Sequence, residues 1–265
     1  MNPVSVNELT ESVNSNLPRD VKSHIAKNIL TKEKDSETAK NIFAKLINDL
    51  SLKTQKEVIN ATGTLLHTNL GRSPNKISYP GTYTNIEYDL TTLSRGKRNE
   101  YLSVLMNNLI GSEDIIFVNN NASSLFVSLK AISKLHNIES VIISRGEIIE
   151  IGGSYRLPEI INETGLSLVE IGTTNKTRLS DYKKALEKYP NSLILKVHRS
   201  NFSISGFTED VSISELAELK NKYDVFLLHD LGSGLVIDKK FLEINNVNIF
   251  RDEPFVQDSL SDGSD

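Results

Sequence analysis

Val225-Phe226-Leu227-Leu228-His229-Asp230-Leu231-Gly232-Ser233-Gly234 is the stretch whose reading decides the fold. Four consecutive apolar residues ahead of a Gly-Ser-Gly turn predict a strand buried on both faces, the mark of a parallel sheet. In open α/β sheets ligands bind beyond the carboxyl ends of the strands, so this strand presents Asp230 where chemistry is done. A carboxylate there calls for a cationic partner. The plainer alternative is that Asp230 caps its own turn, as Asp does before glycine.

Working outward, the same grammar repeats. Val141 to Ser144 reads as a strand tipped by Arg145-Gly146-Glu147, Leu166 to Ile171 as one tipped by Gly172-Thr173-Thr174-Asn175, and Leu193 to Val197 as one tipped by His198-Arg199-Ser200-Asn201. Helices are predicted from Leu157-Pro158, where the missing N–H of proline is not needed, over 179–189, and over 213–222. Further back, Tyr101 to Ile110 predicts a helix closed by Gly111, and Ile115 to Val118 a buried strand. Asn119 to Ser124 then opens a helix that runs to Leu135. The expected fold class is α/β, a doubly wound and mainly parallel sheet with right-handed crossovers. A strand running through small polar residues into a helix leaves N–H groups free at the positive end of the helix dipole, a ready phosphate site. The chain has neither Gly-x-Gly-x-x-Gly nor Gly-Lys-Ser/Thr, which removes the dinucleotide and Walker classes. If the strands lie side by side, Asn121, Glu147, Asn201 and Asp230 reach one edge. A phosphate site beside a strand-end acid suits pyridoxal phosphate, whose pyridinium nitrogen needs a buried acid to keep its proton.

Composition narrows the remainder. The 265 residues are 38% hydrophobic and 24% charged, as in soluble globular proteins. Without cysteine there is no disulfide, thiolate metal site or thiol nucleophile, and no metal centre is expected. No secretory pattern and no apolar run of about 18 residues occurs, so a cytoplasmic protein without a membrane span is expected. Residues 1–57 form a polar, glycine-free region with apolar positions at helical spacing: Leu9 and Val13; Val21, Ile25 and Ile29; Ile42, Phe43, Leu46, Ile47 and Leu50. They predict a small helical domain, with residues 58–265 as the large one. Its lysines are interleaved with acids, which describes a solvated face; a nucleic-acid surface is the sharper alternative. From Val58 to Arg72 an extended segment is expected to carry His67, Asn69 and Arg72 to one place, with the Arg72 guanidinium able to fork onto a carboxylate or phosphate. Arg95, Lys97 and Arg98 read either as a second anion-facing cluster or as a solvated turn.

The segments Ile59-Asn60-Ala61-Thr62-Gly63 through His67-Thr68-Asn69-Leu70-Gly71-Arg72, Glu87-Tyr88-Asp89-Leu90, Val118-Asn119-Asn120-Asn121-Ala122, Ser144-Arg145-Gly146-Glu147 through Glu150-Ile151-Gly152-Gly153, Gly172-Thr173-Thr174-Asn175, Lys196-Val197-His198 and Asp230-Leu231-Gly232-Ser233-Gly234 resemble the bacterial selenocysteine synthases, the L-seryl-tRNA(Sec) selenium transferases. The likeness runs from about residue 58 to the end, in the family's order. It implies the large domain of a fold-type I pyridoxal-phosphate transferase serving selenocysteine and protein biosynthesis. Such an enzyme converts seryl-tRNA(Sec) to selenocysteinyl-tRNA(Sec) with selenophosphate, through an aminoacrylyl intermediate on pyridoxal 5'-phosphate. By position, the resemblance implies Asp230 at the ring nitrogen, Asn121 and Ala122 at the cofactor phosphate, Asn201 near the ring hydroxyl, and Arg72 on the selenium donor. It implies tRNA recognition by residues 1–57 and a homodecamer, with Thr173, Thr174 and Asp181 at subunit contacts. Phe202 stands where the family often has Tyr. The chain stops at Ser264-Asp265, ahead of the family's Ser-Gly-Asp-Lys segment with its Schiff-base lysine, and Lys239 and Lys240 read as a surface loop. The expectation is therefore a chain that does not turn over substrate alone, with an unpaired sheet edge and poor solubility. The alternative is a non-catalytic tRNA- or subunit-binding remnant.

Overall fold

The computed structural model describes residues 4–53, 55–74, 81–151, 155–237, 239–245 and 253–265; Gly152 and Gly153 lie outside them. The chain divides into two compact units, Met1–Ile77 and Ser78–Asp265. In the first, α1 (Val6–Ser12) starts on a capping box in which Ser5 and Glu8 satisfy each other's backbone N–H groups. It packs with α2 (Arg19–Lys32) and α3 (Ser36–Lys53). Ala39, Phe43 and Ile47 recur every four residues on one face of α3, and with Leu9, Ala26 and Ile29 they form the core of this unit. Beyond α3 the described residues of this unit are largely exposed and form one 3-10 turn, Thr68–Leu70, that Gly71 ends at φ 82°.

The second unit opens with a ribbon, β1 (Tyr88–Asp89) and β2 (Ser94–Arg95), and then α4 (Glu100–Ile110), closed by Gly111 in the left-handed region. Next is α5 (Asn121–His136), whose start is capped by the Asn120 side chain accepting from the Ser123 N–H at 2.8 Å. The central sheet consists of β3 (Ser140–Ser144), β6 (Ser167–Ile171), β7 (Ser192–Val197) and β8 (Leu227–Asp230). All its pairings are parallel, in the order β6-β3-β7-β8. A ribbon of β4 (Glu150–Ile151) and β5 (Tyr155–Arg156) precedes α6 (Leu157–Glu163), which has Pro158 in its first turn. The crossovers are completed by α7 (Leu179–Lys188) and α8 (Ile213–Tyr223).

Strand alternation puts helices on both faces. Ile142, Ile194 and Leu227 meet Tyr182, Leu186, Leu216 and Leu219 of α7 and α8. Val141, Ile143, Leu193 and Leu195 meet Leu125 and Leu129 of α5 and Leu157 and Ile161 of α6. This is the doubly wound α/β architecture expected from the strand-tip-helix repeat, and covering both faces is what lets β3 and β7 be buried at every position.

Three local expectations are corrected. Ile115 to Val118 forms no strand: Ile116 is 78% exposed and no described strand pairs with the segment, so its apolar run lacks the neighbours that would bury it. The organising strand begins at Leu227 rather than Val225, because Asp224, which follows α8, lies in the left-handed region and the Val225 N–H still closes onto the Lys220 carbonyl. Lys239 and Lys240 start a short helix, α9 (Lys239–Ile244), rather than lying in a loop. The last element is α10 (Val256–Ser261). Among the described strands β8 ends the sheet, and on its outer side Asp265 brackets Leu227: its N–H donates to the Leu227 carbonyl, and its carboxylate accepts the Leu227 N–H, both at 2.9 Å. Among the described residues no helix is long and apolar enough to cross a membrane.

Candidate functional site

β8 carries Asp230 to the carboxyl edge of the sheet, where the side chain is 7% exposed. One carboxylate oxygen, Oδ1, accepts from Asn121 Nδ2 at 2.8 Å and from the Gly232 N–H at 2.9 Å. The second bond is the turn cap; the first joins residues 109 positions apart in the chain. The turn-capping reading of Asp230 is realised, and the same atom also meets the start of α5. The expected cationic partner is replaced by a neutral amide, and among the described residues no cation pairs with Asp230. Gly232 turns at φ 65°, and a Cβ on it would stand 3.0 Å from the Ser200 side chain, so the turn lies directly against the tip of β7.

Between the start of α5 and this turn lies a cleft of about 260 Å³, near the lower end of ligand-site volumes (roughly 300–1,000 Å³). Asn121 and Ser124 bound it on one side, Asp230 and Gly232 on the other, and Val256 of α10 closes it. Ala122, the second residue of α5, is half-buried. The Asn121 amide reaches Asp230, so what Asn121 offers a phosphate is its place in the first turn of α5, with the positive end of the helix dipole. Asn201 is exposed, its Nδ2 donating to the Glu150 carbonyl at 3.4 Å. Arg72 belongs to the first unit, exposed and in the left-handed region at φ 65°, with its N–H on the His67 carbonyl at 3.0 Å. Arg95 and Arg98 both pair with Glu87. Asp181 caps α7 through the Arg178 N–H, and Thr173 closes a turn onto Lys176.

Two features went unread in the sequence. His229, also on the cleft, bonds through Nδ1 to Ser259 Oγ at 2.7 Å. Burial first, then the charges of Lys196 and His198, lower its pKa from 6.5 to about 4, so it is neutral at pH 7. The other is a buried ionic cluster. Lys196 Nζ lies 2.5 Å from Glu147 Oε1 and 2.6 Å from Asp210 Oδ1, and Glu147 is 1% exposed. Glu147 was expected to reach one edge with Asn121, Asn201 and Asp230; its carboxylate is turned inward onto Lys196 and the Val197 N–H. Burial pushes its pKa up, opposed by the Lys196 ammonium and the Val197 N–H. At Asp210, whose side chain is 42% exposed, desolvation works upward too, but Lys196 and Arg199 outweigh it and hold the carboxyl below its usual range. A lysine inside the apolar run Leu193 to Val197 was the available signal, since such a residue has to be paired.

A doubly wound parallel sheet, with a buried strand-tip acid facing a helix start across a cleft, defines an α/β protein with a cleft at the carboxyl edge of the sheet, the edge where ligands of this architecture bind. The family model for L-seryl-tRNA selenium transferase matches residues 58–265, and the chain belongs to that family. The L-seryl-tRNA(Sec) selenium transferase of Campylobacter fetus subsp. fetus is 38% identical over 257 residues, 93% of this chain and 56% of its own length. That of Aquifex aeolicus is 40% identical over 255 residues, 93% of this chain and 54% of its own. The chain spans about half the length of the curated relatives it matches. Of solved structures, mouse CSAD in its apo form resembles 62% of this chain and 36% of its own at 12% identity, with a TM-score of 0.40.

Proposed function

We propose that the chain is part of a pyridoxal-phosphate enzyme that replaces the hydroxyl of serine carried on tRNA(Sec) with selenium, taking selenophosphate as the donor. The observation that carries this reading is the 2.8 Å bond between Asn121 and Asp230, which ties a phosphate-suited helix start to a buried strand-tip acid inside one cleft. Family membership supplies the chemistry that the cleft would serve. Bound there, the cofactor would supply a cationic ring that withdraws electrons from an attached amino acid.

The residues divide the work. Asp230 keeps the proton on the ring nitrogen, and the Asn121 amide together with the Gly232 N–H fixes which way its carboxylate faces. Asn121 and Ala122 bring backbone and dipole to the phosphate, with the small Ala122 side chain leaving the backbone approachable. Asn201 serves the ring hydroxyl, and Arg72 the anionic donor as a fork of charged N–H groups. Residues 1–57 recognise the tRNA, and residues 58–265 hold the cofactor. The cytoplasm as the place of action, the ring of ten subunits and the subunit contacts at Thr173, Thr174 and Asp181 rest on the family resemblance.

Equilibrium dialysis of the 265-residue chain against pyridoxal phosphate tests the cofactor reading. Binding should weaken about 10- to 100-fold in Asn121→Ala, since hydrogen bonds to charged groups contribute roughly 1.5–3 kcal/mol, and by more in Asp230→Ala. Binding indifferent to both substitutions refutes the assigned cleft. Uptake of seryl-tRNA(Sec) with no pyridoxal phosphate bound would favour the non-catalytic tRNA-binding role instead.

A further inference from the structure

We propose that Glu147 and Lys196 are positioning residues that set where Asp230 stands, an inference that rests on reading Asp230 as the cofactor's acid. Among the described residues β8 is the end strand and pairs in the sheet with β7 alone, with Lys196 opposite His229 and Val197 opposite Asp230. Whatever fixes the tip of β7 therefore fixes the backbone of Asp230.

That tip is fastened residue by residue. Glu147 takes the Lys196 ammonium on Oε1 at 2.5 Å and the Val197 N–H on Oε2 at 3.1 Å, so one carboxylate grips a side chain and the next backbone. His198 then donates its N–H to the Asp230 carbonyl at 2.8 Å. Asp210 takes Lys196 on Oδ1 at 2.6 Å and Arg199 Nη2 on Oδ2 at 3.0 Å, which completes four consecutive anchored residues. The segment that carries Glu147 is packed closely: a Cβ on neighbouring Gly146 would stand 2.7 Å from the Thr174 carbonyl oxygen, so the tip of β3 is pressed against that of β6. Stability alone is a poor reason for such a cluster, because desolvating a buried ion pair costs about what the pairing returns. What the cluster does supply is one fixed register at the rim of the cleft.

The test uses the 265-residue chain and two readouts: residue-resolved amide hydrogen exchange, and the Kd for pyridoxal phosphate. Ile194, bonded to the Phe226 carbonyl in the middle of the sheet, reports global opening; His198 and Gly232, bonded to the two ends of Asp230, report its position. In Lys196→Met, exchange at His198 and Gly232 should accelerate about tenfold relative to Ile194, and the Kd should rise about tenfold. The neutral pair Glu147→Gln/Lys196→Met, in which the Gln carbonyl still accepts the Val197 N–H, should recover most of both. If Lys196→Met does not fold, Glu147→Gln alone is read at the same amides and should show the same selective loss. Exchange at His198 and Gly232 that moves in step with Ile194 in every variant overturns the proposal. A wild-type chain that takes up no pyridoxal phosphate removes the cofactor reading, while the amides still decide whether Asp230 is held in this way.

Discussion

Acidification from pH 7 to pH 4 should destabilise the second unit through a single ring, His229. Its pKa is about 4 in the fold, against 6.5 unfolded, because burial disfavours the imidazolium and Lys196 and His198 repel it. Above pH 6.5 the ring is neutral in both states and contributes its full stability. Between 6.5 and 4 only the unfolded chain takes up the proton, so stability falls as the pH falls; below 4 both states are protonated and this loss levels off. At about 1.36 kcal/mol per pH unit the span corresponds to ~3.4 kcal/mol, which solvent at the partly exposed ring reduces to ~2 kcal/mol. All eight tyrosines fall in the second unit, so urea unfolding followed by their near-ultraviolet circular dichroism reports that unit alone. Carboxylates also titrate in this window, and His229→Asn separates them: it keeps a polar atom for Ser259 but cannot titrate. The wild type should lose ~2 kcal/mol more than the variant between pH 7 and pH 4. Equal losses, or a steeper loss in His229→Asn, would refute the reasoning.

Lys196→Met strands the Glu147 carboxylate, 1% exposed, without its cation and should cost about 3–5 kcal/mol in urea unfolding; adding Glu147→Gln should return part of that. The Tyr182 hydroxyl is buried without a partner among the described residues, so Tyr182→Phe should leave the thermal midpoint unchanged or raise it, by up to about 1 kcal/mol of added stability. Gly172 sits at φ 67°, and a Cβ there would lie 2.3 Å from Thr177 Oγ1, which shares a 2.7 Å bond with Ser144. Gly172→Ala should therefore lower the thermal midpoint, at a cost of about 2–3 kcal/mol.

The sheet was legible because burial on both faces writes an unambiguous pattern. Val141 to Ser144, Leu193 to Val197 and the helices between them lie within a residue or two of where periodicity put them. Ile115 to Val118 has the same apolar run and forms no strand, which shows the limit of the signal: periodicity records that a segment wants neighbours, not that neighbours are present. The meeting of Asn121 with Asp230 could be expected from strand tips sharing an edge. The inward turn of Glu147 could not, because a polar residue after a strand reads the same whether it faces solvent or a lysine in the next strand. Only the partner's position decides, and Lys196 lies 49 residues away.

Turn cap and chemical acid began as rival readings of Asp230, and the turn cap is compatible with the proposed acid role. A carboxylate left to rotate would present a cofactor with an averaged orientation. Here the Gly232 N–H and the Asn121 amide converge on the same oxygen, Oδ1, from the turn and from the helix start. With one oxygen spent on the fold, the other is aimed by the same two bonds. The capping interaction that holds the Gly-Ser-Gly turn is then the preorganisation that the proposed ring contact needs, because a site works best when its charged group is oriented before the ligand arrives. Removing the Gly232 N–H bond would loosen the turn and the acid together, so the proposed site would include the turn as well as the strand.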